Sequence, residues 1–304
     1  MEYYLLSNGV KMPVLGLGTD DVFYLRKIRT SKNRYLRKIL DIYHRHVLKP
    51  ILDYKLSNTI AEAIRMGYRL IDTSAAYNNE KAIGRAIRIS GVPREQLFIT
   101  TRVTNKQQFD DNIRDGLFKS LNNLGLDYVD LYQIHWPVPG HYLNTWSEME
   151  KLYNEGYIKA IGIANCHAHH IEEILKVCKV PPMVNEVEVH PLFSQKPLKQ
   201  YCDNHNIRME AYTPLARNDE RLRRNKVLLS LAKKYGKTPL QVILRWHIEN
   251  GIVPIPRSTN KKRLHLNIDV FDFKLTEEEV QLIDAININS RLRYDPDNCD
   301  FTIL

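Results

Sequence analysis

From Ser57 onward the sequence alternates short apolar runs with amphipathic segments, and this alternation constrains the fold more than any other feature. Helical patterns at 58–66, 79–90, 106–124, 145–155, 168–178, 197–204 and 239–249 each lead into a run of strand length. Those runs are 69–73, 97–101, 128–133, 158–162, 183–187, 208–211 and 252–255, and residues 14–17 supply one more ahead of them. Strands of this length separated by helices imply parallel βαβ units. Eight such units close naturally into a (β/α)8 TIM barrel. The pattern alone also fits an open doubly wound sheet, but such a sheet normally carries a G-x-G-x-x-G turn. Here Gly16-Leu17-Gly18-Thr19 lacks the third glycine and opens no helix. Small residues at that strand end suit close approach of a ligand to the backbone. An N-terminal hairpin is expected over residues 3–12, turning at Asn8-Gly9. Residues 225–235 and 276–287 read as helices outside the repeat. No linker or low-complexity stretch interrupts the chain, so residues 1–304 read as one domain.

Charge is unevenly placed. The net charge is +9, yet residues 21–55 hold ten Lys or Arg against three Asp, and the remainder is close to neutral. This is a basic insertion after the first barrel strand, not the uniform basicity of a nucleic-acid binder. Leu36, Ile39, Leu40, Tyr43 and Val47 recur in it at helical spacing, and Pro50 ends that helix or follows it shortly. Three readings stand: a capping helix with a solvated basic face, a lid that draws anionic substrates to the mouth, or a surface for a partner. The four cysteines are scattered without C-x-x-C spacing, which fits a reducing, cytoplasmic setting. No apolar run approaches the roughly 20 residues that span a bilayer, and residues 1–9 lack the pattern of a signal peptide. Neither a membrane nor a nucleic-acid partner is expected, and the chain is expected to be a monomer.

In a barrel of this type the active site lies at the C-terminal strand ends. Those ends carry Gly18-Thr19, Asp72 with Tyr77 five residues on, Arg102, His135-Trp136, Asn165, Glu186, Tyr212 and Arg257-Ser258. An acid, a phenol, a cation and an imidazole converging on one mouth point to proton transfer. The alternative, ordinary strand-end packing, does not account for the combination.

The segments GLGT, GYRLIDTSAAYNNE, GVPREQLFITT, LGLDYVDLYQIHWP, GYIKAIGIAN, VEVHP, AYTPL and DPD resemble the aldo-keto reductases in the same order over nearly the whole chain outside the insertion. The resemblance is nearest to the prokaryotic branch that reduces diketo-gluconate-type sugar acids and small dicarbonyls. It implies hydride transfer from NADP to a small carbonyl substrate. Tyr77 would be the general acid, Asp72 the partner of the cation, and His135 the group that orients the carbonyl, with Trp136 beside the substrate. A free phenol titrates near 10, so it needs a nearby cation to give up its proton readily. The resemblance places Tyr212 against the nicotinamide and Asn165 and Glu186 at its carboxamide. Arg257, Ser258, Arg263 and Asn267 match the family's phosphate clamp, and two guanidiniums suit a 2′-phosphate. Gly18, Thr19, Asp72, Leu215 and Thr259 complete the implied cofactor contacts.

Three positions depart from the family pattern. Arg102 stands for lysine, Ala164 for serine and Glu186 for glutamine. A planar guanidinium tends to clamp a carboxylate, so Arg102 is expected to lock onto Asp72 and serve Tyr77 less well, and Arg102→Lys is expected to raise the rate. These departures keep a second function open, a nucleotide-binding barrel with weakened catalysis and a binding or regulatory role. The run Cys166-His167-Ala168-His169-His170 suggests a metal cluster, but successive residues at a strand-to-helix junction are expected to diverge, and no metal is assigned. Cys166 stands where the family has an aromatic and is expected to enlarge the pocket. His190-Pro191 reads as a structural pair.

Overall fold

A computed structural model describes residues 2–20, 43 and 47–303. Within them an eight-stranded all-parallel sheet runs in sequence order, preceded by a separate antiparallel hairpin. The hairpin strands are β1 (Tyr3–Leu5) and β2 (Lys11–Pro13), and Gly9 takes the positive φ that their turn requires. The barrel strands are β3 (Gly16–Gly18), β4 (Leu70–Asp72), β5 (Phe98–Val103), β6 (Val129–Ile134), β7 (Ile158–Ala164), β8 (Val184–Glu188), β9 (Arg208–Tyr212) and β10 (Val253–Pro254). A parallel bridge between Gly18 and Arg257 joins the two ends of the sheet and closes the barrel. A side chain at 18 would put its Cβ 2.9 Å from the Ile255 carbonyl oxygen. The glycine that the sequence suggested for ligand approach is thus required first by barrel closure.

Helices cover the outside, so the strands are buried on both faces and read as nearly continuous apolar runs. Several helices start at reciprocal caps in which a Thr side chain accepts from the backbone three residues on. Thr104 with Gln107, Thr238 with Gln241 and Thr276 with Glu279 are the clearest cases.

Three sequence expectations shift. The helix expected from Asn58 is α1 (Lys49–Arg65), which begins inside the segment read as an insertion. Pro50 lies in its first turn, where a missing N–H costs nothing. The single helix expected over 106–124 is two, α3 (Asn105–Phe109) and α4 (Ile113–Leu124), following α2 (Glu80–Ser90) in the order. Asp111 interrupts it at φ 50°, a left-handed conformation that short polar side chains tolerate. β5 runs past its expected end at Thr101, which places Arg102 within the barrel wall, in register with Gln133. Of the expected insertion helix, Leu36, Ile39 and Leu40 lie outside the described residues. Tyr43 and Val47 are described, and both are exposed, so the apolar stripe is not buried there.

Candidate active site

The motif after β4 positions its own side chains. Thr19 Oγ1 donates to the Asp72 carbonyl, and Asn79 bridges strand ends by accepting from Thr73 Oγ1 and donating to the Thr19 carbonyl. Ser74 Oγ accepts the Ala76 N–H and so caps the short turn Ala75–Tyr77 that delivers the phenol to the mouth. Beneath the turn, Glu80 accepts from Thr101 and Asn123, tying the motif to β5 and α4. The conspicuous polar residues of this stretch are mostly scaffold, and Tyr77 is what the scaffold presents.

Arg102 is 1% exposed and lies at the centre of the site. Its Nη2 pairs with the Asp72 carboxylate, as expected, and also with Glu186. Nε donates to Glu186 at 2.9 Å, and Nη1 donates to the Thr73 carbonyl at 2.9 Å and to Tyr77 Oη at 3.3 Å. Glu186 was read as a carboxamide contact. Its carboxylate is instead turned onto the guanidinium, because an ionised acid at a buried position needs a cation more than it needs an amide.

A fourth ionisable group, Glu210 on β9, completes the cluster. It is the register partner of Glu186 on the adjacent parallel strand, so the two side chains share a face. Neither Glu210 oxygen has a hydrogen-bond partner among the described residues. Burial, and then the charges of Glu186 and Asp72, push its carboxyl well above the ordinary range. Sequence reading passed over Glu210, although an acid inside the strand RMEAY was the available signal. Burial likewise raises Asp72 and Glu186 against the opposing pull of Arg102.

Tyr77 is raised well above 10 by burial, with Arg102 drawing it back down. The His135 ring stands edge-on to Tyr77 with 6.0 Å between centroids. Burial first, then Arg102 and Arg293, push the His135 pKa down to about 3, so the imidazole is neutral. Its Nδ1 lies 3.3 Å from Ser74 Oγ. Ser74 Oγ can donate to this nitrogen or accept from it, because a hydroxyl oxygen that takes the Ala76 N–H keeps a second acceptor site.

Tyr212 Oη donates to Asn165 Oδ1 at 2.7 Å, and Asn165 Nδ2 donates to the His135 carbonyl at 2.9 Å. Asn165 holds φ at 60°, and beyond Tyr212 residues Thr213, Ala216, Arg217 and Asn218 are also left-handed. Positive φ at a β-branched threonine is costly and typical of functional loops. Leu215 is half-buried in that loop. Exposed Arg257, Thr259 and Arg263 surround buried Ser258 beside the N-terminus of the helix Lys261–Ile268. Asn260 caps that helix by accepting the Arg263 N–H, and Asn267 is buried on its inner side. Exposed guanidiniums next to a helix N-terminus suit a phosphate. Trp136 is buried, its ring 6.5 Å from Phe301 near the C-terminus.

The three histidines do not diverge as expected. His167 Nδ1, His169 Nε2 and His170 Nε2 lie 2.8, 3.3 and 3.7 Å from the Asp297 carboxylate. His170 Nδ1 accepts the His167 N–H, and His167 Nε2 faces the Arg291 guanidinium. Those donors assign the protons of both rings to the nitrogens that face Asp297, so the cluster suits holding a carboxylate of the C-terminal segment. Cys166 is fully buried in the core and does not widen the mouth, and all four cysteines are free thiols. His190 donates to buried Glu188, which also accepts the Leu292 and Arg293 N–H groups, a structural anchor.

Residues 44–288 match the aldo/keto reductase family. The chain is 48% identical to the 9,11-endoperoxide prostaglandin H2 reductase of Trypanosoma cruzi, over 96% of this chain and 94% of that one. This chain belongs to the aldo/keto reductase family. It is 41% identical to the glyoxal reductase of Bacillus subtilis, covering 97% and 96% of the two chains. The solved Bombyx mori aldo-keto reductase in complex with NADP superposes with a TM-score of 0.81 at 33% identity, over 97% of this chain and 96% of that one. Among the described residues no helix is long and apolar enough to cross a membrane.

Proposed function

We propose that this aldo/keto reductase reduces the carbonyl of small aldehydes and ketones, reactive dicarbonyls included, with NADPH as hydride donor and Tyr77 as general acid. The observation that carries this reading is the meeting of Tyr77 Oη with the buried Arg102 cation at 3.3 Å, beside the neutral ring of His135. A carbonyl oxygen that receives a hydride at its carbon becomes an alkoxide and needs a proton at once. Tyr77 holds that proton firmly, because burial disfavours the phenolate, and Arg102 reduces the cost of releasing it. His135, held neutral by burial, stands beside Tyr77 where a ring N–H could hydrogen-bond the same oxygen without competing as an acid. When bound, the nicotinamide supplies the hydride. Arg257, Ser258, Arg263 and Asn267 would hold the phosphates, with Tyr212 and Asn165 beside the nicotinamide. The glyoxal reductase relative supports dicarbonyls as the substrate class.

The test is consumption of NADPH with a panel of glyoxal, methylglyoxal and monofunctional aldehydes, beside a separate fluorescence titration of NADPH binding. Turnover of dicarbonyls supports the proposal. Tight NADPH binding without turnover of any carbonyl overturns it and favours a nucleotide-binding role.

A further inference from the structure

A guanidinium has five N–H donors, and around Arg102 every one has an acceptor. Two go to Glu186, through Nε and Nη2, and a third goes from Nη2 to Asp72. The remaining two, on Nη1, reach the Thr73 carbonyl and Tyr77 Oη. Because the group is planar, the two bonds to Glu186 fix its rotation, and that rotation decides where Nη1 points. Both partners are within 4% of full burial, so neither is exchanged for water.

We propose that Glu186 is a positioning residue for proton transfer: it orients the Arg102 guanidinium toward Tyr77, and the two side chains function only as a matched pair. This deepens the reductase reading above and rests on Tyr77 being the proton donor. Donor counting makes the inference testable. Without the two bonds to Glu186, three acceptors remain, namely Asp72, the Thr73 carbonyl and Tyr77. An ammonium has three N–H donors. Arg102→Lys alone therefore strands a buried carboxylate at 186, whereas the same change with Glu186→Gln leaves a neutral amide that needs no cation. The sequence expectation that Arg102→Lys by itself would raise the rate is accordingly reversed.

The experiment compares wild type, R102K, E186Q and R102K/E186Q in kcat, KM, the pH profile of kcat/KM and thermal midpoint. R102K should lose about tenfold or more in kcat with little change in KM for the carbonyl, and the double variant should recover to within about threefold of wild type. The basic limb of the pH profile, which reports Tyr77, should move up in R102K, where an uncompensated carboxylate disfavours phenolate, and return in the double variant. A side chain that merely filled space would move the midpoint and not this limb. Additive losses in both rate and midpoint would overturn the pairing. Should wild type reduce no carbonyl, the function proposed above fails, and the midpoints alone decide the pairing: recovery of the R102K loss by E186Q upholds it, and additivity overturns it.

Discussion

Glu210→Gln is expected to flatten the loss of stability as pH rises, although it adds no contact and replaces a protonated carboxyl by an amide of the same size. The wild-type carboxyl is raised in the folded state by burial and by Glu186 and Asp72, against a weaker downward pull from Arg102 and Gln133. In the unfolded chain a glutamate titrates near 4.3. A raised folded pKa contributes stability that is fully present below the unfolded value and is lost as pH rises toward the folded one. Each pH unit in that window removes about 1.4 kcal/mol. With an unfolding entropy near 2.1 cal/mol/K per residue, a chain of 304 residues loses about 2 °C of midpoint per pH unit. Glutamine imitates the neutral acid and does not titrate, so this part of the slope disappears. Thermal midpoints of both proteins between about pH 5 and about pH 8 read the difference directly. The slope is the test, because the amide's own unsatisfied groups add a constant cost of about 1–3 kcal/mol at every pH. Parallel midpoint curves for the two proteins would refute a raised folded-state pKa at Glu210.

Tyr77→Phe should reduce turnover by about 100-fold or more while NADPH affinity, read by fluorescence, stays close to wild type; substantial residual turnover would show another proton donor. Arg263→Ala should weaken NADP(H) by about tenfold or more and NAD(H) far less, since only the former carries the 2′-phosphate; equal losses would displace the proposed clamp. With His135 held down to about 3, its ring is already neutral throughout the working range. The acid side of kcat/KM should therefore show no step near pH 6.5, the value of an unperturbed histidine, and a step there that vanishes in His135→Gln would contradict it. If the positive charge of residues 21–55 steers substrates, anionic carbonyl compounds should be preferred, by a margin that shrinks as salt is raised toward about 0.15 M. Excision of residues 21–46 should abolish that preference and keep α1 whole, and a neutral dicarbonyl with the same salt dependence would exclude steering.

What the sequence determined is what repeats or what stands at a strand end. Parallel strands buried on both faces must be apolar throughout, and helices packed on them must be amphipathic, so the alternation after Ser57 carried the barrel. The candidate mouth could be named as well, because Asp72, Tyr77 and His135 sit at or just beyond strand ends, where the chain itself marks the position. Tertiary structure alone decided what meets across the barrel. Arg102, Glu186 and Glu210 come from β5, β8 and β9, and only closure and register bring them together. Read singly, Arg102 and Glu186 looked like two losses from a family pattern. In the fold they are one ion pair, because a low-dielectric interior requires each buried charge to find its opposite. The three histidines behave similarly: local geometry argued that they diverge, and Asp297, some 130 residues away in sequence, gives them a common target.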